Sequence, residues 1–227
     1  KGAVNMPVTP TMALRAVMYA TRYAGFIDAV GPAGGKDVND GSRAGGRLSL
    51  LWEPTPDIKI TPRIVYQMID ANGFNREEFY NLYDNQFTST GGELIGPRTQ
   101  YLQLREEFED HTMLADLTAS FAFGAVELTS ISSYIDRNIL VSRDASALTG
   151  SVAVSPLIGA GVDPDIVRLP SNLVDRTDLK QFSQEVRLAS TGDGPLQWLV
   201  GGFYTDIDRN YSQRLPTPDY DAFSEAA

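Results

Sequence analysis

Several stretches of this chain alternate apolar and polar residues so regularly, and for so long, that few folds can hold them. From Ser42 to Glu53, residues Ala44, Gly46, Leu48, Leu50 and Trp52 fall on one side of an extended strand. Arg43, Gly45, Arg47, Ser49 and Glu53 fall on the other, with only Leu51 out of place. A side-chain period of two means one face wants an apolar medium and the other a polar one. The pattern recurs. Met12 to Ala20 sets Met12, Leu14, Ala16 and Met18 against Ala13, Arg15, Val17 and Tyr19. Ile58 to Asp70 sets Ile58, Ile60, Ile64, Tyr66 and Met68 against Lys59, Thr61, Arg63 and Gln67. Pro62 is the misfit there, since a paired strand has no place for a residue without an N–H; a bulge or a later start would absorb it.

Tight turns join these strands in pairs. Pro7-Val8-Thr9-Pro10 links a strand ending near Met6 to Met12, and Pro54-Thr55-Pro56-Asp57 links the next two. Gly124 turns a third hairpin over about 112–137, in which Met113, Ala115, Leu117, Ala119, Phe121 and Phe123 alternate with Thr112, Leu114, Asp116, Thr118 and Ser120. A fourth joins Gln181–Ser190 to Leu196–Asn210 through Thr191-Gly192-Asp193-Gly194-Pro195. The sum is roughly eight strands of ~10 residues, the length of a tilted membrane-spanning strand. Between hairpins lie long polar segments at about 21–42, 71–108 and 138–178. Loops beyond about 12–15 residues are uncommon in compact soluble domains. Short turns at one end and long loops at the other are the habit of outer-membrane barrels. A soluble β-sandwich, with its Arg and Glu faces in water, is the competing arrangement that alternation alone does not separate.

Composition narrows the classes. The chain carries 19 basic and 29 acidic residues, net −10, which disfavours a nucleic-acid partner. It has no Cys, and no run of roughly 18 apolar residues that could form a membrane helix. Hydrocarbon admits only helices or closed barrels, because every backbone polar group there needs a partner. An all-β, antiparallel transmembrane barrel is therefore the expected fold, with the eight strands forming part of a larger barrel. Arg43, Arg47, Lys59, Arg63, Glu185 and Arg187 should then face the lumen, and Trp52 and Trp198 an aromatic girdle at the short-turn rim. The chain opens Lys1-Gly2-Ala3 without an initiator Met and reads as a fragment.

Several stretches resemble the barrel of TonB-dependent receptors. They are Arg47-Leu48-Ser49-Leu50-Leu51-Trp52-Glu53-Pro54-Thr55, Leu128-Thr129-Ser130-Ile131-Ser132-Ser133-Tyr134, and Gln181-Phe182-Ser183-Gln184-Glu185-Val186-Arg187-Leu188-Ala189-Ser190 followed by Leu196-Gln197-Trp198-Leu199-Val200-Gly201-Gly202-Phe203-Tyr204. The resemblance implies a 22-stranded barrel plugged by an N-terminal domain, of which residues 1–227 would be the first third or so. It also implies import of a scarce nutrient such as a siderophore, vitamin or carbohydrate, and energy from the TonB–ExbB–ExbD system through an N-terminal part that this sequence lacks. The setting would be the lipid and lipopolysaccharide of a bacterial outer membrane. A stand-alone small barrel with a structural or adhesive role is the alternative.

Chemistry-bearing motifs are few. His111 is the single His, so neither a His-pair metal site nor a Ser-His pair can be assembled, and neither an enzyme nor a cofactor site is expected. Gly31 to Lys36 only loosely imitates a phosphate loop, and Asp37-Val38-Asn39-Asp40-Gly41 reads as an Asx-turn entering Ser42 rather than a calcium loop. Glu106-Glu107-Phe108-Glu109-Asp110 reads as a solvated loop end. Recognition is expected in the long loops, where Phe74, Phe79, Tyr80, Tyr83 and Phe87 could stack on a ligand ring or only on the loop itself.

Overall fold

The alternating stretches pair into a single antiparallel sheet. The computed structural model describes residues 1–78, 96–153 and 169–224. The strands are β1 (Gly2–Thr9), β2 (Met12–Tyr23), β3 (Asp28–Val30), β4 (Gly41–Thr55), β5 (Ile58–Ala71), β6 (Thr99–Tyr101), β7 (Glu107–Phe123), β8 (Val126–Asp144), β9 (Asn172–Ser190) and β10 (Leu199–Arg214). Two helices, α1 (Ser146–Ala153) and α2 (Tyr220–Ser224), complete the described elements. Eight strands lie in the order β1-β2-β4-β5-β7-β8-β9-β10, each antiparallel to its neighbours. The sheet is barrel-like but open, so β1 and β10 are its two edges.

The register carries the alternation across the whole sheet, because directly opposed residues share a face. One row reads Val17, Arg47, Val65, Leu114, Ile135, Gln181 and Ile207, and a neighbouring row reads Arg15, Ser49, Arg63, Asp116, Ser133, Ser183 and Thr205. This is the polar face, named for the arginines and carboxylates it carries, although the Val17 row is largely apolar. The opposite face carries Ala16, Leu48, Ile64, Ala115, Tyr134 and Phe182 in one row. On it Leu48 and Ile64 are each 45% exposed and Val186 42%. The exposed positions of β9 all lie on this side, from Arg176 to Leu188, whereas its polar-face residues are half-buried. The sheet therefore turns its apolar side outward and shelters its polar side. On β5 the apolar run from Ile58 to Met68 spans ten residue steps. At ~3.3 Å per residue and a ~40° tilt that is a band about 25 Å tall.

Turn and strand limits differ in places from those read in the sequence. β1 runs through Pro7 and the turn is Pro10-Thr11; Pro7 is tolerated because β1 is an edge strand. Likewise Pro54 and Thr55 belong to β4, and Pro56-Asp57 makes the turn. Pro62 causes neither bulge nor late start. It sits inside β5 opposite Leu117, and the β4–β5 ladder lapses at Leu50 and Leu51 and resumes in the same register at Trp52 and Ile60. β8 and β9 are 19 residues each, so 138–144 and 172–178, read from sequence as loop, are paired strand. Their upper outward residues, such as Asp136, Asn138, Asp178 and Lys180, are polar, and polarity hid them from a search for membrane-type alternation.

Candidate functional site

All three long connections leave the sheet at one end, and there their described parts pack on one another. Within them β3 and β6 pair in parallel, Asp28 to Thr99 through Val30 to Tyr101, joining the 24–40 and 72–106 segments. Asn39 fixes the first of these from inside. Its side-chain oxygen accepts the Phe26 and Ile27 N–H groups, both at 2.8 Å, and its amide donates to Asn75 at 2.7 Å. The expected Asx-turn at Ser42 is thus replaced by a long-range cap, which no local pattern announces. Gly25, at φ +80°, is needed where the chain passes Asp37, because a Cβ would lie 2.5 Å from the Asp37 carbonyl oxygen. Gly31 to Gly35 closes on itself through a Gly34 N–H to Gly31 C=O bond and bridges back to Ala29.

A buried polar chain ties the second and third connections to β8. Arg76 donates to Gln100 at 3.1 Å and to Glu106 at 3.0 Å. Glu106 accepts the Asp144 N–H, and the Asp144 carboxylate accepts the N–H groups of Gln103, Leu104 and Ser146. The Ser146 hydroxyl then accepts the Ser171 N–H, and Ser171 meets Thr217 at 2.7 Å. Glu106 is only 3% exposed, so the reading of its acidic run as a solvated loop end is corrected. The neighbouring Asp110 is also buried, in a two-bond pair with Arg137. Burial pushes the carboxyls of Glu78 and Glu106 above the ordinary glutamate range, against the pull of Arg76.

Beside this clasp the strand ends border an open aromatic cavity of about 650 Å³. Tyr23, Gly41, Ala71 and Phe108 form one register row along its wall, on the polar side of the sheet. Phe26, Phe74, Asn39, Asn75 and Arg22 line the rest. Phe74 meets Phe108 edge-on, with ring centres 6.4 Å apart. Of the loop aromatics singled out in the sequence, Phe74 reaches the cavity, and Phe79, Tyr80, Tyr83 and Phe87 lie outside the described residues. Tyr23, Phe26 and Phe108 were not singled out, and only the spacing of aromatics beside strand ends could have flagged them. Cavities of this size, mostly apolar with a few fixed polar groups, suit a small organic ligand. A second hollow of about 540 Å³ lies among Leu48, Pro62, Ile64, Leu117 and Phe182 and belongs to the outward apolar band.

Arg43, Arg47, Lys59, Arg63, Glu185 and Arg187 all lie on the polar face. Arg63 pairs with Asp116 at 2.7 Å, Arg187 with Glu185 at 3.1 Å, and Lys59 with Glu53 at 3.9 Å. Trp52 lies on the apolar face, and Trp198 adjoins β10 opposite Ser190, both near the short-turn end. His111 is bonded to Asp70 at 3.0 Å at the long-loop end of β7.

No protein-family model matches the chain, and no curated protein matches it. Among solved structures it is similar to the ferric yersiniabactin uptake receptor FyuA from Yersinia pestis, with a TM-score of 0.65 at 11% identity. The match covers 95% of this chain and 29% of that receptor, so the chain spans under a third of its neighbour's length. At this identity the likeness establishes the fold alone, an antiparallel barrel-like sheet, and function is left to the site's own chemistry.

Proposed function

We propose that this chain is part of an outer-membrane receptor that imports a small nutrient with energy coupled through TonB, and that it works without covalent chemistry. The observation that carries the reading is the pairing of a continuous outward apolar band with an aromatic cavity beside clasped long loops. Soluble monomers seldom expose apolar patches beyond a few hundred Å². Here Leu48, Ile64, Tyr66, Tyr134, Phe182 and Val186 are exposed side by side across the sheet. Lipid would cover them, lipopolysaccharide would flank the rim above, and Trp52 and Trp198 would sit at the lower interface. The polar face would line the lumen. The open order, with β1 and β10 unpaired to each other, favours a larger barrel over a small self-closed one with an adhesive role.

Uptake is the test. In a strain carrying the full-length protein, candidate nutrients supplied singly should be accumulated only when TonB is present. Phe74→Ala with Phe108→Ala should weaken that accumulation while the barrel still folds. Accumulation that is indifferent to TonB would sink the import reading, and wild-type uptake by the double variant would remove the cavity from it.

A further inference from the structure

The polar face is not evenly neutralised. On its β5–β9 side each arginine of the strands has a carboxylate: Arg63 with Asp116, Arg137 with Asp110, Arg143 with Asp175 and Arg187 with Glu185. On its β2–β4 side three arginines have none among the described residues. Arg15 donates to the Asn5 side-chain oxygen at 2.8 Å. Arg43 donates through Nε to the Gln67 oxygen at 2.9 Å and lies 5.5 Å from the Tyr19 ring centre. Arg47 Nε is buried without a hydrogen-bond partner. Amide oxygens and a ring orient a guanidinium but leave its full charge in place. The chain has ten more acidic than basic residues, so the lack is one of placement and not of supply.

Register sets the three in an ascending line. Arg15 lies opposite Ser49, Arg47 opposite Val17, and Arg43 opposite Thr21. Arg15 and Arg47 are one same-face step apart and Arg43 two steps higher, about 7 Å and 13 Å along the strands. The next row above Arg43 is that of Tyr23 and Gly41, the wall of the aromatic cavity. Arg15 and Arg43 are exposed and Arg47 is half-buried.

We propose that this strip is a binding lane for a solute bearing several oxyanion groups, carboxylate or phosphate, which passes down from the aromatic cavity. Planar guanidinium forks match such groups two bonds at a time, and three uncancelled charges in one line concentrate anions along it. The lane rests on the import reading, since it supposes a solute leaving that cavity. An acidic protein segment lying on the strip is the contrary occupant.

The experiment titrates inorganic tripolyphosphate, an extended polyanion, into the purified full-length protein at low salt, with orthophosphate as the short comparison. Tripolyphosphate should bind about tenfold more tightly than orthophosphate, and Arg43→Gln with Arg47→Gln should remove about that factor. Arg176→Gln, on the opposite face of the sheet, should leave binding unchanged. In the unaltered protein, tripolyphosphate should also slow phenylglyoxal labelling of Arg43 and Arg47 but not of Arg176, a readout that needs no variant to fold. Absence of binding, binding indifferent to the double variant, or Arg43 and Arg47 shielded from phenylglyoxal without any anion would each overturn the lane. TonB-dependent uptake measured on the same protein separates the two readings: intact uptake without anion binding rejects the lane alone.

Discussion

Tyr19 and Gly45 oppose one another across the β2–β4 ladder, and the phenol ring of Tyr19 occupies the space that a side chain at Gly45 would need. A Cβ there would lie 2.6 Å from the Tyr19 hydroxyl and 2.6 Å from the Tyr66 carbonyl oxygen. In return Tyr19 donates to Gln67 at 2.8 Å, the same oxygen that receives Arg43. Gly45→Ala should therefore force both ring and backbone aside and cost about 1–3 kcal/mol. Tyr19→Phe, which deletes only the hydroxyl, should cost about 0.5–1.5 kcal/mol. Urea unfolding of the full-length protein in lipid vesicles measures both, and a neutral Gly45→Ala would refute the packing argument.

The Asp110–Arg137 pair joins β7 to β8 just below the clasp, with the carboxylate nearly enclosed and the arginine half in water. Removing the charge in Asp110→Asn leaves a guanidinium short of its acceptor. With a discount for the exposed partner, the loss should be about 1–3 kcal/mol. A double-mutant cycle with Arg137→Gln should return a favourable coupling, and a coupling near zero would mean that water replaces the pair without cost.

The two faces should respond oppositely to charge. Ile64→Arg puts a cation at mid-height in the apolar band and should destabilise the barrel in a bilayer by about 2–4 kcal/mol. Arg63→Gln, one residue away on the sheltered face, breaks a partly exposed pair and should cost less than about 1 kcal/mol. Equal costs, measured by refolding into vesicles, would show that the bilayer does not contact this side.

Acid should tighten the clasp rather than loosen it. Glu78 and Glu106 have carboxyl pKa values raised above 4.5 in the folded state, chiefly by burial. A raised carboxyl binds its proton more readily folded than unfolded, so stability increases as pH falls through the folded pKa and levels off near the unfolded value. Hydrogen exchange at the Asp144 amide, corrected for intrinsic rate, should slow as pH falls from the raised folded pKa toward the ordinary glutamate value. Glu106→Gln should flatten that response, and an exchange rate that climbs with acid would reverse the assignment.

How far such features can be read in advance depends on the distance over which they are made. The side taken by Arg47 or Arg187 follows from parity along one strand, and parity is written in the local order of residues. The Arg76–Glu106–Asp144 chain joins residues separated by 30 and 38 positions. Nothing local marks Glu106 as different from Glu107 or Glu109 beside it. The cavity was half visible for a similar reason: Phe74 stood out in a loop, but Tyr23 and Phe108 looked like strand ends until pairing set them in one row. Pro7 and Pro54 misled because proline signals a turn, yet each sits within a strand next to one.

β8 and β9 continue well past the apolar band before their chain ends reach α1 and the clasp. From Asn138, which lines up with Met68 at the top of the β5 band, to Asp144 is six more residue steps of paired strand, roughly 15 Å of height at the same tilt. The ladder there is unbroken, so it works as a stiff mast and not as a tether. In the proposed setting the mouth of the receptor is held at a fixed stand-off above the lipid. A surface glycan shorter than that mast would leave the mouth open to passing solutes, antibodies or phage, and a longer one would bury it, so coat length would act as a control on access.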